Sequence, residues 1–226
     1  MINNNDLCLR GSFMNFIAEP ITSTNGKLLG VELQIRIEEK GQVLLHPELV
    51  IKDWSMEERK TFLYELLTSI TKQAPFFLKR GLFCSLALAD EETALLLSYD
   101  TALRMVLNTL PFVKLELTER IGSLAGELTC IRNSIWLSDL GKGDATTSLL
   151  TNGRYEVVKL DRSFFYEEIE KPTFSVLIKN LHQYCERIIV KGVNDRRHIP
   201  VLTEAGIYGI QGLYRSVPLS KVHHLM

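Results

Sequence analysis

The fold is decided by a short stretch near the C-terminus, Arg187-Ile188-Ile189-Val190-Lys191-Gly192-Val193. It is an apolar run rich in β-branched residues, which is typical of a buried strand, and a lysine follows it directly. Four other apolar runs also carry a carboxylate or a lysine at their ends: Val31-Glu32-Leu33, Leu115-Glu116-Leu117-Thr118-Glu119, Leu137-Ser138-Asp139-Leu140-Gly141 and Val158-Lys159-Leu160-Asp161. In a parallel barrel the functional side chains lie at the C-terminal strand ends, so this pattern indicates such a barrel.

The rest of the chain alternates between strand and helix patterns. Two strands are predicted at 13–21 and 27–36, and Asn25-Gly26 between them is a strong hairpin signal, so this pair should be antiparallel. Further strands are predicted at 82–88, 112–118, 134–139, 156–160, 187–190 and 208–210, and helices at 55–73, 90–110, 121–133 and 173–185. The alternation predicts an α/β fold, a (β/α)8 barrel of the triosephosphate isomerase type with an irregular, antiparallel first strand.

The helix over 55–73 has the clearest local signals. Ser55 is its predicted N-cap, and Glu58 three residues later can complete a capping box. Apolar residues then recur at helical spacing through this segment: Phe62, Leu63, Leu66, Leu67 and Ile70. One face of this helix is therefore predicted to pack on the barrel.

Composition bounds the class of protein. The chain has 226 residues, 46% of them hydrophobic, and no linker rich in Pro, Gly or Ser, so a single domain over 1–226 is expected. The net charge is −1 with no basic cluster, which argues against direct DNA binding. No apolar run approaches a membrane span and no signal peptide is visible, so we expect a cytoplasmic protein without membrane contact. The four cysteines are far apart, which argues against disulfides and a zinc site.

The order of motifs resembles the EAL domain family of cyclic di-GMP phosphodiesterases, from about residue 13 to residue 218. The segments that carry the resemblance are Ala18-Glu19-Pro20-Ile21, Glu32-Leu33-Gln34, Leu115-Glu116-Leu117-Thr118-Glu119, Ser138-Asp139-Leu140-Gly141-Lys142-Gly143, Val158-Lys159-Leu160-Asp161-Arg162-Ser163-Phe164, Lys191-Gly192-Val193-Asn194 and Gln211-Gly212 through Pro218. No single motif is decisive, but seven in the family's order are specific.

The resemblance implies a site from which catalysis has been removed. Vestigial catalytic positions are expected at Glu32, Glu116, Asp139, Lys159 and Asp161, and vestigial ligand-binding positions at Glu19, Arg36 and Gln211. The positions where the family's functional residue is lost are Ala87, Ser138, Lys191 and Asn194. The family's divalent cations would be repelled by an ammonium at Lys191, which is expected to fill the vacated metal position and pair with Glu116 or Asp139. No metal or cofactor is therefore expected, and Glu19 should weaken cyclic di-GMP binding.

Three functions stay open at this point. The favoured one is a non-enzymatic regulator that resembles the degenerate, stand-alone EAL proteins of enterobacteria, which bind the FlhD subunit of the flagellar master activator and repress motility. The alternatives are a slow cyclic di-GMP phosphodiesterase that uses the remaining ligands, and a receptor that binds cyclic di-GMP without hydrolysing it. Taken singly, each carboxylate at a strand end could equally be part of an ordinary ion pair.

A monomer is expected before any complex forms. Dimers of active EAL enzymes pack near the loop that here contains Lys142 and Asp144, and these residues would charge an apolar contact. The surface that binds a partner is not visible in the sequence.

Overall fold

The computed structural model describes residues 7–9, 12–39, 42–44, 50–88, 90–142, 149–151 and 155–225. The strands in these ranges are β1 (Leu7–Leu9), β2 (Ser12–Thr22), β3 (Leu28–Glu39), β4 (Gln42–Leu44), β5 (Phe83–Ala87), β6 (Val113–Thr118), β7 (Ile135–Leu140), β8 (Val157–Leu160), β9 (Arg187–Val190), β10 (Gly209–Gln211) and β11 (Val217–Pro218).

Eight of these strands close a barrel in the order β2, β3, β5, β6, β7, β8, β9 and β10, with β10 pairing back onto β2. Strand β2 is antiparallel to both of its barrel neighbours, whereas all other neighbours in the barrel are parallel. This confirms the predicted barrel with its antiparallel first strand. Strands β1, β4 and β11 pair with the long β2–β3 hairpin outside the closed ring.

The described α-helices are α1 (Met56–Lys72), α2 (Ala74–Arg80), α3 (Glu91–Tyr99), α4 (Thr101–Asn108), α5 (Arg162–Glu168), α6 (Phe174–Leu181) and α7 (Ile199–Glu204). Helix α1 begins with the predicted capping box, since the Ser55 hydroxyl accepts from the backbone N–H of Glu58 and the Glu58 carboxylate accepts from that of Ser55. No helix within the described ranges is both long and apolar enough to cross a membrane.

Two helix predictions were wrong. The segment 90–110 forms α3 and α4 instead of one helix, because Asp100 leaves the helical conformation and caps the N-terminus of α4. The segment 121–133 does not form an α-helix, and a 3-10 helix spans Glu119–Gly126 instead. The helix predicted over 173–185 is shorter than expected and ends at Leu181.

An apolar layer fills the lower half of the barrel. It consists of Ile21, Trp136, Val157 and Ile189, with Phe83 packed against Trp136 at a ring-centroid distance of 4.8 Å. Successive side chains of a strand alternate between the two faces of the sheet. The next inward-facing residues toward the C-terminal ends of the parallel strands are Glu19, Ser138, Lys159 and Lys191, and three of these four are charged.

Candidate functional site

A polar layer lies directly above the apolar one, at the C-terminal ends of the parallel strands. Seven of the eight barrel strands supply it, and β5 is the exception. Its members in chain order are Glu19, Glu32, Glu116, Asp139, Lys159, Lys191 and Gln211. We call this set the ionic layer.

Lys159 is the centre of the ionic layer. Its ammonium donates to the carboxylate of Glu32 and, at 2.8 Å, to that of Glu116. Lys159 and Glu116 are fully buried and Glu32 is only 5% exposed. A buried ammonium needs such partners, because an unpaired charge in a protein interior is very costly.

Lys191 supplies the second ammonium. Its Nζ atom lies 2.8 Å from Asp139 Oδ1 and 3.9 Å from Glu32 Oε1. Burial lowers the pKa of Lys191, but the negative charges of Glu32, Asp139 and Glu116 outweigh burial and raise this pKa above its ordinary value. Lys191 therefore stays charged and pairs with Asp139, one of the two carboxylates predicted for it.

The two ammonium groups set the charge state of Glu32. Burial alone would raise the pKa of its carboxyl group, but the attraction of Lys159 and Lys191 dominates and lowers the pKa to about 2. Gln211 also donates to this carboxylate at 2.8 Å. Glu32 is consequently ionised throughout the physiological pH range.

Glu19 lies at the opposite edge of the ionic layer and behaves differently. Its carboxylate accepts hydrogen bonds from Gln34 and, at 2.7 Å, from Gln211. Burial, with the nearby charge of Glu32, raises the pKa of Glu19 above its usual value. The amide nitrogens of both glutamines are therefore already engaged with carboxylates of the ionic layer.

The layer does not fit the divalent cations that an EAL-type site implies. Ala87, on the strand that supplies nothing to the layer, is the register partner of Glu116 and has no ligand atom. Ser138 contributes only a hydroxyl, which points to Asp139 at 3.4 Å. The carboxylates that could bind metal are held by ammonium groups, and the described part of the chain has no group of three or more His, Cys, Asp or Glu residues arranged for a metal ion.

Other predicted site residues lie outside the ionic layer. Asp161 caps the N-terminus of α5, where it accepts from the backbone N–H of Ser163 at 2.7 Å. Asn194 is exposed and accepts a hydrogen bond from the Tyr166 hydroxyl. Arg36 is exposed on the extended part of β3, on the same strand face as Glu32 but four residues beyond it.

The loop after β7 is described only in part. Lys142 is exposed there, and its backbone N–H donates to the carbonyl of Asp139 at 3.2 Å. Gly143 and Asp144, on which the motif match and the expected monomer partly rest, lie outside the described residues.

Arg59 is a structurally important side chain that the sequence analysis missed. It is 1% exposed and pairs with Asp90 at 2.6 Å and with Glu92 at 3.0 Å. It also donates to the backbone carbonyls of Lys52 and Trp54, so it ties the segment before α1 to the start of α3. Arg59 lies three residues before Phe62 on the apolar face of the helix. This spacing is the signal that could have predicted a buried arginine there.

Comparison with known proteins agrees with this architecture. The chain is 27% identical over 210 residues to the cyclic di-GMP phosphodiesterase PdeH of Escherichia coli (strain K12), covering 88% of this chain and 82% of that protein. It is 26% identical over 220 residues to the anti-FlhC(2)FlhD(4) factor YdiV of Salmonella paratyphi B, covering 92% of both chains.

A solved structure of the EAL-like domain protein YdiV superposes with a TM-score of 0.84 at 23% identity, over 95% of this chain and 97% of that one. This likeness shows that the fold is shared. The model of the EAL domain family matches residues 101–218, just over half of the chain. The chain therefore belongs to the EAL domain family.

Proposed function

We propose that this protein is a non-enzymatic regulator that binds a protein partner, the FlhD subunit of the flagellar master transcriptional activator, and thereby represses flagellar gene expression and motility. The observation that carries the proposed loss of catalysis is the position of the Lys191 ammonium, 2.8 Å from Asp139 and 3.9 Å from Glu32 among the carboxylates of the barrel. A divalent cation beside Lys191 would be repelled by several kcal/mol even at an effective dielectric constant of about 20.

The loss of metal removes the hydrolytic mechanism at its first step. Hydrolysis of a phosphodiester by an EAL-type site needs cations that turn water into hydroxide and neutralise charge on the phosphorus oxygens. Neither Ala87 nor Ser138 can replace the missing ligands. The engaged carboxylate of Glu19 adds negative charge beside the space that a dianionic cyclic dinucleotide would enter, so we also propose that cyclic di-GMP does not bind.

Support for the partner comes from the relatives. Proteins named anti-FlhC(2)FlhD(4) factor align with 92% of this chain and over 92% of their own length. We further propose that the protein acts as a cytoplasmic monomer without contacting DNA, since Lys and Arg are scattered along a chain of net charge −1 and do not indicate the broad basic surface that nucleic acid needs. Sedimentation velocity at low micromolar concentration would contradict the monomer by showing a stable dimer.

The partner assignment is tested by calorimetric titration of FlhD into the full chain. We expect a saturable complex at micromolar concentration or tighter. Lys191→Met is the matched control, because it removes one positive charge inside the barrel and leaves the outer helices unchanged. Its complex with FlhD should therefore be as tight as that of the wild type. No heat and no co-migrating species on gel filtration at 50 micromolar, about fifty times a micromolar dissociation constant, would make the FlhD assignment wrong.

A second function, weak cyclic di-GMP hydrolysis, is favoured by the identity to PdeH. It predicts that the linear dinucleotide accumulates in Mn²⁺ or Mg²⁺ and that Glu32→Ala abolishes this product. We expect no product from the wild type above the level of Glu32→Ala. Wild-type turnover that is lost in Glu32→Ala and in the presence of a chelator would favour the phosphodiesterase over the non-enzymatic regulator.

A further inference from the structure

A small cavity lies on the outside of the barrel, between the β2–β3 turn and the start of α7. Its volume is about 140 Å³, and its walls include the turn residues 22–26, Arg196, Ile199, Ile210, Leu213 and Tyr214. Thr22 and Ile210 are register partners, and so are the next pair, Ile21 and Gln211. Because Ile21 and Gln211 face the barrel interior, Thr22 and Ile210 face outward. The cavity is therefore separate from the ionic layer.

The turn that lines the cavity is held by hydrogen bonds of its own side chains. Gly26 adopts a φ of 86°, and the Ser23 hydroxyl accepts from the backbone N–H of Lys27 at 3.1 Å. The side-chain oxygen of Asn25 is bound by Ser23 within the turn, which leaves the Asn25 amide nitrogen as a donor. A Cβ atom at Gly26 would lie 3.2 Å from the Tyr214 hydroxyl. This hydroxyl therefore lies directly beside the turn where both line the cavity.

The charge of the cavity is positive. Arg196 is the charged residue among its described lining residues, and neither Asp nor Glu lines it. Arg196 is exposed, and within the described ranges no carboxylate forms an ion pair with it, whereas its neighbour Arg197 is paired with Asp195 at 2.6 Å. A guanidinium with free N–H groups is well suited to bind a carboxylate or phosphate through two parallel hydrogen bonds.

Thr22 provides an independent observation. It is only 4% exposed, and its hydroxyl oxygen has no hydrogen-bond partner among the described atoms. Buried hydroxyl groups in folded proteins are nearly always satisfied, because an unpaired one has lost the hydrogen bond that it made to water in the unfolded chain. Thr22 lines the cavity, so a change of its χ1 rotamer would turn the hydroxyl toward an acceptor oxygen placed there.

We propose that this cavity binds the oxyanion group of a small molecule, a carboxylate or a phosphate that carries a short apolar part. Arg196 would bind the anion, with Thr22 and Tyr214 as further donors, and Ile199, Ile210 and Leu213 would contact the apolar part. The volume is below the roughly 300–1,000 Å³ of ordinary small-molecule pockets, so a cyclic dinucleotide does not fit. The proposal does not depend on the proposed regulatory function.

The test is a titration of the ¹⁵N-labelled full chain with sodium phosphate and, separately, with sodium butyrate, at ionic strength held constant with chloride. We expect saturable amide shifts confined to the turn 23–26 and to residues 213–214. Arg196→Gln should weaken binding at least tenfold, roughly the loss of a charge-assisted hydrogen bond. Arg215→Gln removes the same charge from an exposed arginine outside the cavity lining, so it should bind like the wild type. Thr22→Val keeps the branched shape, and we expect it to weaken binding several-fold.

Each result decides the proposal. Binding of phosphate alone or of butyrate alone supports it and identifies which oxyanion the natural ligand carries. No saturable shift with either anion overturns it. Equal weakening in Arg196→Gln and Arg215→Gln also overturns it, since that would be general electrostatic attraction rather than a site.

Discussion

Lys159 is a fully buried cation whose only described ionic partners are Glu32 and Glu116. Replacing Lys159 with methionine keeps the length of the side chain, but it removes the ammonium bonded to Glu116 and leaves Glu32 with only the more distant Lys191. Removing one member of a buried ion pair typically costs about 3–5 kcal/mol. We expect Lys159→Met to lower the free energy of unfolding by this amount, measured by urea denaturation at pH 7.

The matched control is Lys171→Met. Lys171 is exposed and pairs at 2.7 Å with Glu168, three residues earlier in the chain. Ion pairs at the protein surface contribute about 0–1 kcal/mol to stability. A Lys159→Met protein as stable as the Lys171→Met protein would mean that Lys159 does not neutralise the ionic layer.

Glu32 makes the stability of the protein depend on pH. Its pKa is lowered to about 2 in the folded state from an ordinary value of 4.5, so its ionised form favours folding. This contribution is fully present above pH 4.5 and is lost as the pH falls toward 2. We expect the stability difference between the wild type and Glu32→Gln to be largest at neutral pH and to shrink steadily between pH 4.5 and 3 in urea titrations. A difference that stays constant over this range would show that Lys159 and Lys191 do not act on Glu32.

At the scale of elements, Asp100 separates α3 from α4. Its carboxylate accepts from the backbone N–H of Leu103 at 2.9 Å and pairs with the Lys60 ammonium of α1 at 2.7 Å. Loss of such an N-cap typically costs about 0.5–2 kcal/mol, and the half-exposed pair with Lys60 adds little. We expect Asp100→Ala to lose about 1–2 kcal/mol in thermal or urea unfolding.

Glu91→Ala is the comparison for this prediction. Glu91 is an exposed acidic residue in the first turn of α3, so its removal changes the charge equally but removes no cap. We expect it to change stability by about 0.5 kcal/mol or less. If Asp100→Ala were equally mild, the break between the two helices would have to be caused by packing.

The sequence predicted strands more accurately than helix ends. The predicted bounds of β9 are the observed ones, because a short β-branched run between polar residues leaves little choice of where the strand begins and ends. The break at Asp100 was missed because apolar spacing continues across it, and the local cap and its Lys60 partner outweigh that periodicity. Arg59 was missed because its partners Asp90 and Glu92 are brought to it only by the folded chain.

The partner of Lys191 also could not be chosen from the sequence. Asp139 adopts a φ of 57°, which is rare for a residue other than glycine, and the register between β7 and β8 shifts between Leu137 and Leu140. This local irregularity carries the Asp139 carboxylate to the Lys191 ammonium. Neither the irregularity nor the choice of Asp139 over Glu116 follows from residue spacing, whereas the lack of a carboxylate at Ala87 and Ser138 can be read from the residues themselves.

At the scale of the whole molecule, the ionic layer connects seven strands of a barrel that is closed by the antiparallel strand β2. Gln211 links the last parallel strand to Glu19 of β2 and to Glu32 of β3, so hydrogen bonds cross the point of closure. The ammonium groups of Lys159 and Lys191 lie among Glu32, Glu116 and Asp139 and offset part of their negative charge, so these carboxylates are held together by side chains of the barrel itself.

The position of Lys191 beside Asp139 and Glu32 leads to a prediction about metal dependence. Lys191→Glu places a third carboxylate near Asp139 and Glu32, and like charges at about 4 Å repel by roughly 4 kcal/mol at an effective dielectric constant near 20. We expect this variant to be less stable than Lys191→Met, which removes the positive charge without adding a negative one. Mn²⁺ at about ten times its dissociation constant should then raise the stability of Lys191→Glu by about 1.4 kcal/mol, and EDTA should reverse the gain. The wild type and Lys191→Met should not respond to Mn²⁺, and an equal response in all three proteins would mean that Lys191 does not occupy the place of a metal ion.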